Sequence, residues 1–241
     1  MTIPALAAQL RAELILATRR GEALLITFLV PVALLVFLAA VPLVPTGSEA
    51  AVAFLLPGMV GLAIIATAMV SLGIGTAYER HYGVLKRLGA LPGVPLTVVV
   101  AKALAVVVIE AIQVAVLVAV AAALGWKPSG DPVTVAVVMV LGTLAFAGIG
   151  LLMAGALRAE VTLALANALF LAFLLLGGVV VPTDRLPGPI AGLVPWLPAA
   201  ALTDALRDAF AGRGLHVTSV VLAVWGVAAL IAAALTFRVE E

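Results

Sequence analysis

Six apolar stretches in this chain are long enough to cross a lipid bilayer, and they decide what it can fold into. The hydrocarbon core is about 30 Å thick, so a helix needs about 20 apolar residues to cross it. Backbone N–H and C=O groups find no water there, and a helix satisfies them within one segment. The predicted spans are residues 23–44, 51–76, 96–124, 133–157, 161–181 and 217–237. The sequence therefore predicts an all-α membrane protein with six transmembrane helices in a single domain, 1–241.

The composition agrees with this fold class and excludes several kinds of chemistry. Of the 241 residues, 65% are hydrophobic and 10% are charged, whereas soluble domains average about 25% charged residues. There is no cysteine to form a disulfide or a thiolate ligand, and two histidines are too few for a histidine metal cluster. No Walker A sequence G-x-x-x-x-G-K-[ST] and no H-E-x-x-H occurs. We therefore expect no catalytic residue, metal or cofactor within this chain, and the dispersed basic residues predict no nucleic-acid partner.

Residues 1–22 precede the first span and have an amphipathic pattern. The apolar positions recur at helical spacing at Ile3, Leu6, Leu10 and Leu14. This pattern predicts a helix from Pro4 to Arg19 that lies in the membrane interface. A cytosolic tail with chance periodicity is the alternative.

The longest polar interruption of the apolar runs is the loop of residues 78–95, YERHYGVLKRLGALPGVP. The pattern predicts a short helix from Glu79 to Leu88, which the following prolines and glycines end. One face of this helix collects Tyr78, Tyr82, Leu85 and Leu88. The loop is either a docking site for a partner or a solvated basic loop, and composition alone does not separate the two.

A second irregular segment, residues 182–216, follows the fifth span. Its first half is broken by Pro182, Pro187, Pro189, Pro195 and Pro198. Leu202 to Phe210 then has one apolar face and one polar face, which carries Asp204, Arg207 and Asp208. These features predict a broken, re-entrant external segment that dips into the membrane and is followed by a short surface helix.

The 78–95 loop carries the order E-R-x-x-G-x-L-K-R-L-x-A-x-P. The matching residues are Glu79, Arg80, Gly83, Leu85, Lys86, Arg87, Leu88, Ala90 and Pro92. This order resembles the cytoplasmic loop after the second transmembrane helix in ABC-2-type exporter permeases. The resemblance implies that the loop is a coupling helix seated in a groove of a separate ATPase subunit. The contact residues it implies are Glu79, Arg80, Gly83, Leu85, Lys86, Arg87 and Leu88.

The segment after the fifth span adds a second point of resemblance to the same family. Its order G-x-x-x-P, L-P, L-x-P and A-L-R is carried by Gly178, Pro182, Leu186, Pro187, Leu197, Pro198, Ala205, Leu206 and Arg207. Together the motifs imply an exporter permease of a bacterial plasma membrane. The apolar spans and the low aromatic content, 5%, favour a lipophilic drug, antibiotic or lipid-like cargo over a sugar. The implied partners are two ATPase copies, which hold ATP and Mg, and a second permease copy in a homodimer or a heterodimer.

The positions of lysine and arginine predict the orientation of the spans. With both termini inside, most of these residues fall on the cytoplasmic side: Arg11, Arg19, Arg20, Arg80, Lys86, Arg87, Lys102, Arg158 and Arg238. Cytoplasmic loops carry an excess of Lys and Arg. This bias predicts a cytoplasmic 78–95 loop.

Polar residues at membrane depth are the remaining candidates for function. Glu110 and Gln113 share a helix face in the third span, and Asn167 lies in the fifth. A buried carboxylate costs about 2.5 to 3.5 kcal/mol on insertion scales, so Glu110 is expected to face the bundle interior or a water-filled path. The three residues form either a substrate path or polar contacts between helices, and a single acid favours the second interpretation.

The sequence also allows two other functions. A proton-coupled or ion-coupled secondary transporter would use Glu110 as its coupling acid, although residues 1–120 and 121–241 show no repeat of the kind common in such proteins. A membrane anchor for a signalling or electron-transfer complex is the other, and the absence of paired histidines that could hold a haem argues against it.

Overall fold

The computed structural model describes residues 3–19, 21–41, 51–89, 94–179 and 192–237, and its regular structure there is helical throughout. The first helices are α1 (Ile3–Arg19), α2 (Gly21–Ala40), α3 (Ala51–Ile64), α4 (Leu72–His81) and α5 (Val84–Gly89). They are followed by α6 (Val94–Ala123), α7 (Pro132–Ala156), α8 (Ala159–Leu176), α9 (Pro198–Phe210) and α10 (Val217–Thr236). A 3-10 turn, Val194–Trp196, precedes α9.

Five helices among the described residues are long and apolar enough to cross a membrane, which makes this a multi-pass membrane protein. They are Ala51–His81, Thr97–Ala123, Pro132–Ala156, Ala159–Leu176 and Val217–Thr236. The first predicted span, 23–44, coincides in position with α2, whose apolar part Thr27–Ala40 is shorter than these five. A sixth crossing therefore stays a prediction.

The centre of the bundle is the continuous helix Ala51–His81, made of α3, a π-helical turn at Ile65–Ser71 and α4. Residues on all its sides are buried, including Leu55, Leu56, Met59 and Ile64, which are fully enclosed. A helix that is apolar all round belongs inside a bundle rather than at its surface. The α2, α6, α7, α8 and α9 helices surround it.

Contacts between helix ends define two ends of the bundle. At one, called the Arg80 end, Arg80 of α4 contacts the last residues of α7. At the other, called the Trp126 end, Trp126 packs edge-on against Phe210 of α9 with ring centroids 5.8 Å apart. Asp131 caps the first turn of α7 at this end by accepting hydrogen bonds from Val133 and Thr134. The Thr134 side chain and the two backbone N–H groups favour the carboxylate and so lower the pKa of Asp131.

The helix predicted at the surface is instead buried, which corrects that prediction. It begins at Pro198, earlier than the predicted Leu202, and its residues from Pro198 to Leu206 are buried apart from Asp204. The reason is its small side chains, since a run of alanines lets α9 approach α3, α7 and α10 closely. Arg207, predicted on the polar side, lies over the Phe54 ring, 4.1 Å from its centroid, and donates to the Gly178 carbonyl. The prolines from Pro182 to Pro189 lie outside the described residues.

Glycines set the distance between the central helix and α7. A Cβ atom on Gly73 would lie 3.0 Å from the Gly150 Cα, and one on Gly150 would lie 2.7 Å from the Met69 carbonyl oxygen. The obstructing atoms are backbone, which cannot rotate away as a side chain can. The two helices therefore contact each other through their backbones, an arrangement typical of membrane helices.

This contact predicts that Gly150→Ala destabilises the fold. Overpacking of this kind costs about 1 to 3 kcal/mol, and each kcal/mol lowers the melting temperature by about 2 to 4 °C in a chain of this size. The measurement is thermal unfolding of the detergent-purified protein. Gly192→Ala is the matched control, because a Cβ atom there has no described neighbour within 4 Å. Equal melting temperatures for the two variants would contradict the close contact.

Candidate functional site

The 78–95 loop turns sharply at Gly83, so the prediction of one helix from Glu79 to Leu88 is wrong. The α4 helix ends at His81, and α5 begins at Val84. Gly83 has a φ of +69°, a conformation that glycine adopts without strain, and its N–H donates to the Arg80 carbonyl. The sequence signal was present, since glycine is the usual residue just after a helix end.

Arg80 attaches this loop to the interior of the bundle. Its side chain is buried, with 5% exposure, and its guanidinium donates hydrogen bonds to the carbonyls of Gly155 and Leu157 at the end of α7. The last four carbonyls of a helix have no partner within it, and the negative end of the helix dipole favours a cation. Arg80 was predicted to contact an ATPase, but its guanidinium is directed at α7.

Glu79 belongs to a cluster of three charged residues, called the acid–lysine triad and made of Glu13, Glu79 and Lys102. Lys102 Nζ lies 2.7 Å from Glu79 Oε1 and 3.2 Å from Glu13 Oε2. The three side chains are 13% to 20% exposed. Because they come from α1, α4 and α6, the triad connects the helix before the spans to the end of the central helix.

The outward part of the loop is α5, which carries the basic residues Lys86 and Arg87. Both are exposed, and Tyr82 at the turn is 65% exposed. Tyr82 stacks on Tyr78 with ring centroids 6.1 Å apart, which agrees with the predicted shared face. The side chain of Leu88 and the motif residues Ala90 and Pro92 lie outside the described residues.

A cavity of about 490 Å³ opens between α1, α2, α6, α8 and the central helix. Its wall is mainly apolar and includes Leu62, Ala66, Val70, Ile74, Val106 and Ile109. The acid–lysine triad also lines it. Of the three predicted substrate-path residues, only Asn167 is among the lining side chains. Pockets for drug-sized ligands have volumes of about 300 to 1,000 Å³, so this cavity could hold one.

Glu110 and Gln113 lie between helices rather than along the cavity. Glu110 Oε2 lies 2.5 Å from the Thr143 hydroxyl of α7. Gln113 accepts a hydrogen bond from Thr67 Oγ1 at 3.0 Å and donates one to the Thr27 carbonyl at 3.4 Å. These contacts join α6 to α7, to the π-helical turn and to α2, as the interhelical interpretation expects.

Asn167 is exposed on α8 and donates to the Leu163 carbonyl one turn earlier. A role of Glu110, Gln113 and Asn167 in a substrate path stays a prediction.

Glu13 and Lys102 were not predicted as site residues. Lys102 was counted only as one of the basic residues that orient the spans, and Glu13 was not singled out. Their separation of 89 positions left no local pattern that could pair them. The available signal was the presence of opposite charges at the edges of apolar segments, which burial makes costly unless they meet.

Comparison with known protein families shows which family this chain belongs to. The family model for the ABC-2 type transporter matches residues 4–211, which is most of the chain. The chain belongs to the ABC-2 type transporter family. No curated protein matches it. The resemblance predicted from the two motifs is therefore confirmed at the level of the family.

As an ABC-2 chain, this protein is a transport permease that lies in the membrane as several helices. The family implies an ABC transporter with an ATPase partner in general. The matched region includes α1, the 78–95 loop and α9, which hold the triad, Arg80 and Arg207.

The position of Arg80 in this ABC-2 permease leads to a prediction about stability. Arg80→Gln leaves the α7 carbonyls without their charged donor and should lower the free energy of unfolding by about 2 to 3 kcal/mol. Arg80→Lys should lower the free energy of unfolding by less. Its ammonium keeps the charge but lacks the planar guanidinium that can donate to two carbonyls at once. Denaturant unfolding in detergent micelles measures both.

Arg87→Gln is the control for these variants, because its side chain is exposed on α5. If Arg87→Gln lowered the free energy of unfolding as much as Arg80→Gln, the assignment of Arg80 as the anchor of the loop would be wrong.

Proposed function

We propose that this chain is the membrane subunit of an ATP-driven exporter, with α5 as the contact for a separate ATPase. The proposal rests on the 78–95 loop, whose first part is attached to the bundle and whose second part, α5, is exposed. Arg80 and Glu79 attach its first part to α7, α1 and α6. Lys86 and Arg87 present the second part to solvent. A force applied at α5 would therefore reach three helices through short polar contacts.

The proposed assembly has two permease copies and two ATPase copies in a bacterial plasma membrane. A second copy of this chain is the simplest permease partner, giving a homodimer, and a related chain would give a heterodimer. We infer six crossings, with α2 as the first, and cytoplasmic termini. The exposed basic residues Arg11, Arg19, Lys86, Arg87 and Arg158 support that orientation, because cytoplasmic loops are rich in Lys and Arg.

In the proposed mechanism, ATP and Mg bind to the ATPase subunits and draw them together. The resulting displacement of α5 moves α4 and the end of α7 as one body, because Arg80 joins them. The triad transmits the same movement to α1 and α6. The bundle then switches between two packings that open the path to opposite sides, which is a rigid-body mechanism. The apolar cavity supports a lipophilic cargo.

The same geometry gives less support to a secondary transporter that uses Glu110. That carboxylate is 2% exposed, contacts Thr143 and is not among the residues that line the described cavity. Transport measured with ATP depleted, and separately with the proton gradient collapsed, distinguishes the two functions. Export that stops only on ATP depletion supports the proposal.

Charge reversal on α5 provides a direct test of the partner contact. The double variant Lys86→Glu, Arg87→Glu should keep most of its thermal stability, because both side chains are exposed and interactions of exposed charges contribute about 0 to 1 kcal/mol. With an ATPase subunit that forms a complex with the unaltered chain, the variant should give at least tenfold less permease-stimulated ATPase activity than the unaltered chain gives. Co-purification of the two subunits and ATP hydrolysis in vesicles measure this.

Lys127→Glu is the matched control, since Lys127 is exposed near Trp126 at the opposite end of the bundle. Export at the normal rate by the α5 double variant would refute the assignment of α5 as the contact.

A further inference from the structure

The polar end of the cavity has more negative than positive charge among the residues that the structure describes. Glu13 and Glu79 contribute two carboxylates there, and Lys102 contributes one ammonium. One ammonium neutralises one carboxylate, so the triad as a whole carries one excess negative charge. A charge of this kind is costly next to apolar walls unless another cation offsets it.

Glu79 has one carboxylate oxygen in use and one available. Its Oε1 accepts from Lys102 Nζ at 2.7 Å. Its Oε2 is buried and has no hydrogen-bond partner among the described residues. Buried acceptors in folded proteins are nearly always satisfied, and an unsatisfied one points to a missing partner. A partner for Oε2 must be a hydrogen-bond donor, water included, or a cation, because a carboxylate only accepts.

The remainder of the cavity is suited to an apolar body. Its wall is built mainly from aliphatic side chains of the central helix and α6, among them Leu62, Val70, Ala105 and Val106. Part of that wall is the π-helical turn Ile65–Ser71, a deviation from α-helix that occurs often at functional sites. The volume of about 490 Å³ leaves room for a drug-sized molecule beyond the triad.

We propose that this cavity binds a lipophilic cation, with its charged head against Glu79 and Glu13 and its apolar body along the central helix and α6. An anion of the same shape is rejected because it would meet the two carboxylates. A neutral molecule of the same shape fills the walls but leaves the excess negative charge of the triad without a counter-charge. The proposed site names the substrate class of the exporter. It depends on the proposed export function only for the direction in which the cation would move.

The test uses two probes that have almost the same size and shape and opposite charge, tetraphenylphosphonium and tetraphenylborate. Binding of each to the purified full chain in nanodiscs is measured by equilibrium dialysis. We expect tetraphenylphosphonium to bind at least tenfold more tightly than tetraphenylborate after subtraction of empty nanodiscs. Equal binding of the two probes would overturn the proposal.

Two substitutions locate the bound cation. Glu79→Gln keeps the shape of the side chain and removes its charge, so tetraphenylphosphonium affinity should fall at least tenfold. Glu160→Gln is the matched control, because Glu160 is exposed in the first turn of α8 and does not line the cavity. The Glu160→Gln variant should bind tetraphenylphosphonium with the affinity of the unaltered chain. Unchanged affinity in Glu79→Gln, or an equal loss in Glu160→Gln, would refute the site.

A third variant tests the apolar wall separately from the charges, because Glu79→Gln also removes the charge that Lys102 contacts. Ala105→Phe fills the apolar wall while leaving all three charges of the triad in place. It should reduce tetraphenylphosphonium binding while Glu13, Glu79 and Lys102 stay intact. Full binding in this variant would show that the probe lies elsewhere.

These binding measurements need no ATPase and no transport. A chain that binds tetraphenylphosphonium but stimulates no ATPase would refute the exporter function and keep the site. A chain that drives ATP-dependent export but binds both probes equally would refute the site and keep the function.

Discussion

The end of a helix leaves carbonyl groups that need a donor, and where water is excluded the protein must supply one. In this permease Arg80 does so for α7, across 75 positions of sequence to Gly155. The contact joins the end of the central helix to a neighbour whose backbone already touches it at Gly73 and Gly150. Together the hydrogen bonds of Arg80 and the glycine contact hold α4 and α7 together as one packed unit at the Arg80 end of the bundle.

The acid–lysine triad extends this unit to the rest of that end. Lys102 brings the start of α6 into contact with α4 and with the helix that precedes the spans. Its partners also line the cavity, so the same side chains belong to the loop that we propose as the ATPase contact and to the chamber that we propose for cargo. Occupation of the chamber and movement of the loop would therefore act on one set of ionic contacts, which gives a physical route for coupling them.

The positions of the apolar helices could be predicted because length and composition alone decide whether a segment can remain in hydrocarbon. The predictions that failed concern how amphipathic segments are used. The α9 helix has the polar face of a surface helix, yet its alanines allow it to pack inside the bundle. There Arg207 donates to the Gly178 carbonyl and lies over the Phe54 ring. The 78–95 loop has helical periodicity on both sides of Gly83, but the glycine turns the chain.

Local sequence determined the family, the apolar helices and the basic loop between two of them, since each depends on composition, spacing or a short motif within one stretch of chain. Tertiary structure alone decided which charges meet. Arg80 and Glu79 are adjacent in a motif that suggests a single surface, but Arg80 faces α7 and Glu79 faces Lys102 and the cavity. The physical reason is that a buried charge is stabilised by whichever partner the packing of distant helices brings within hydrogen-bond distance, and no local pattern encodes that distance.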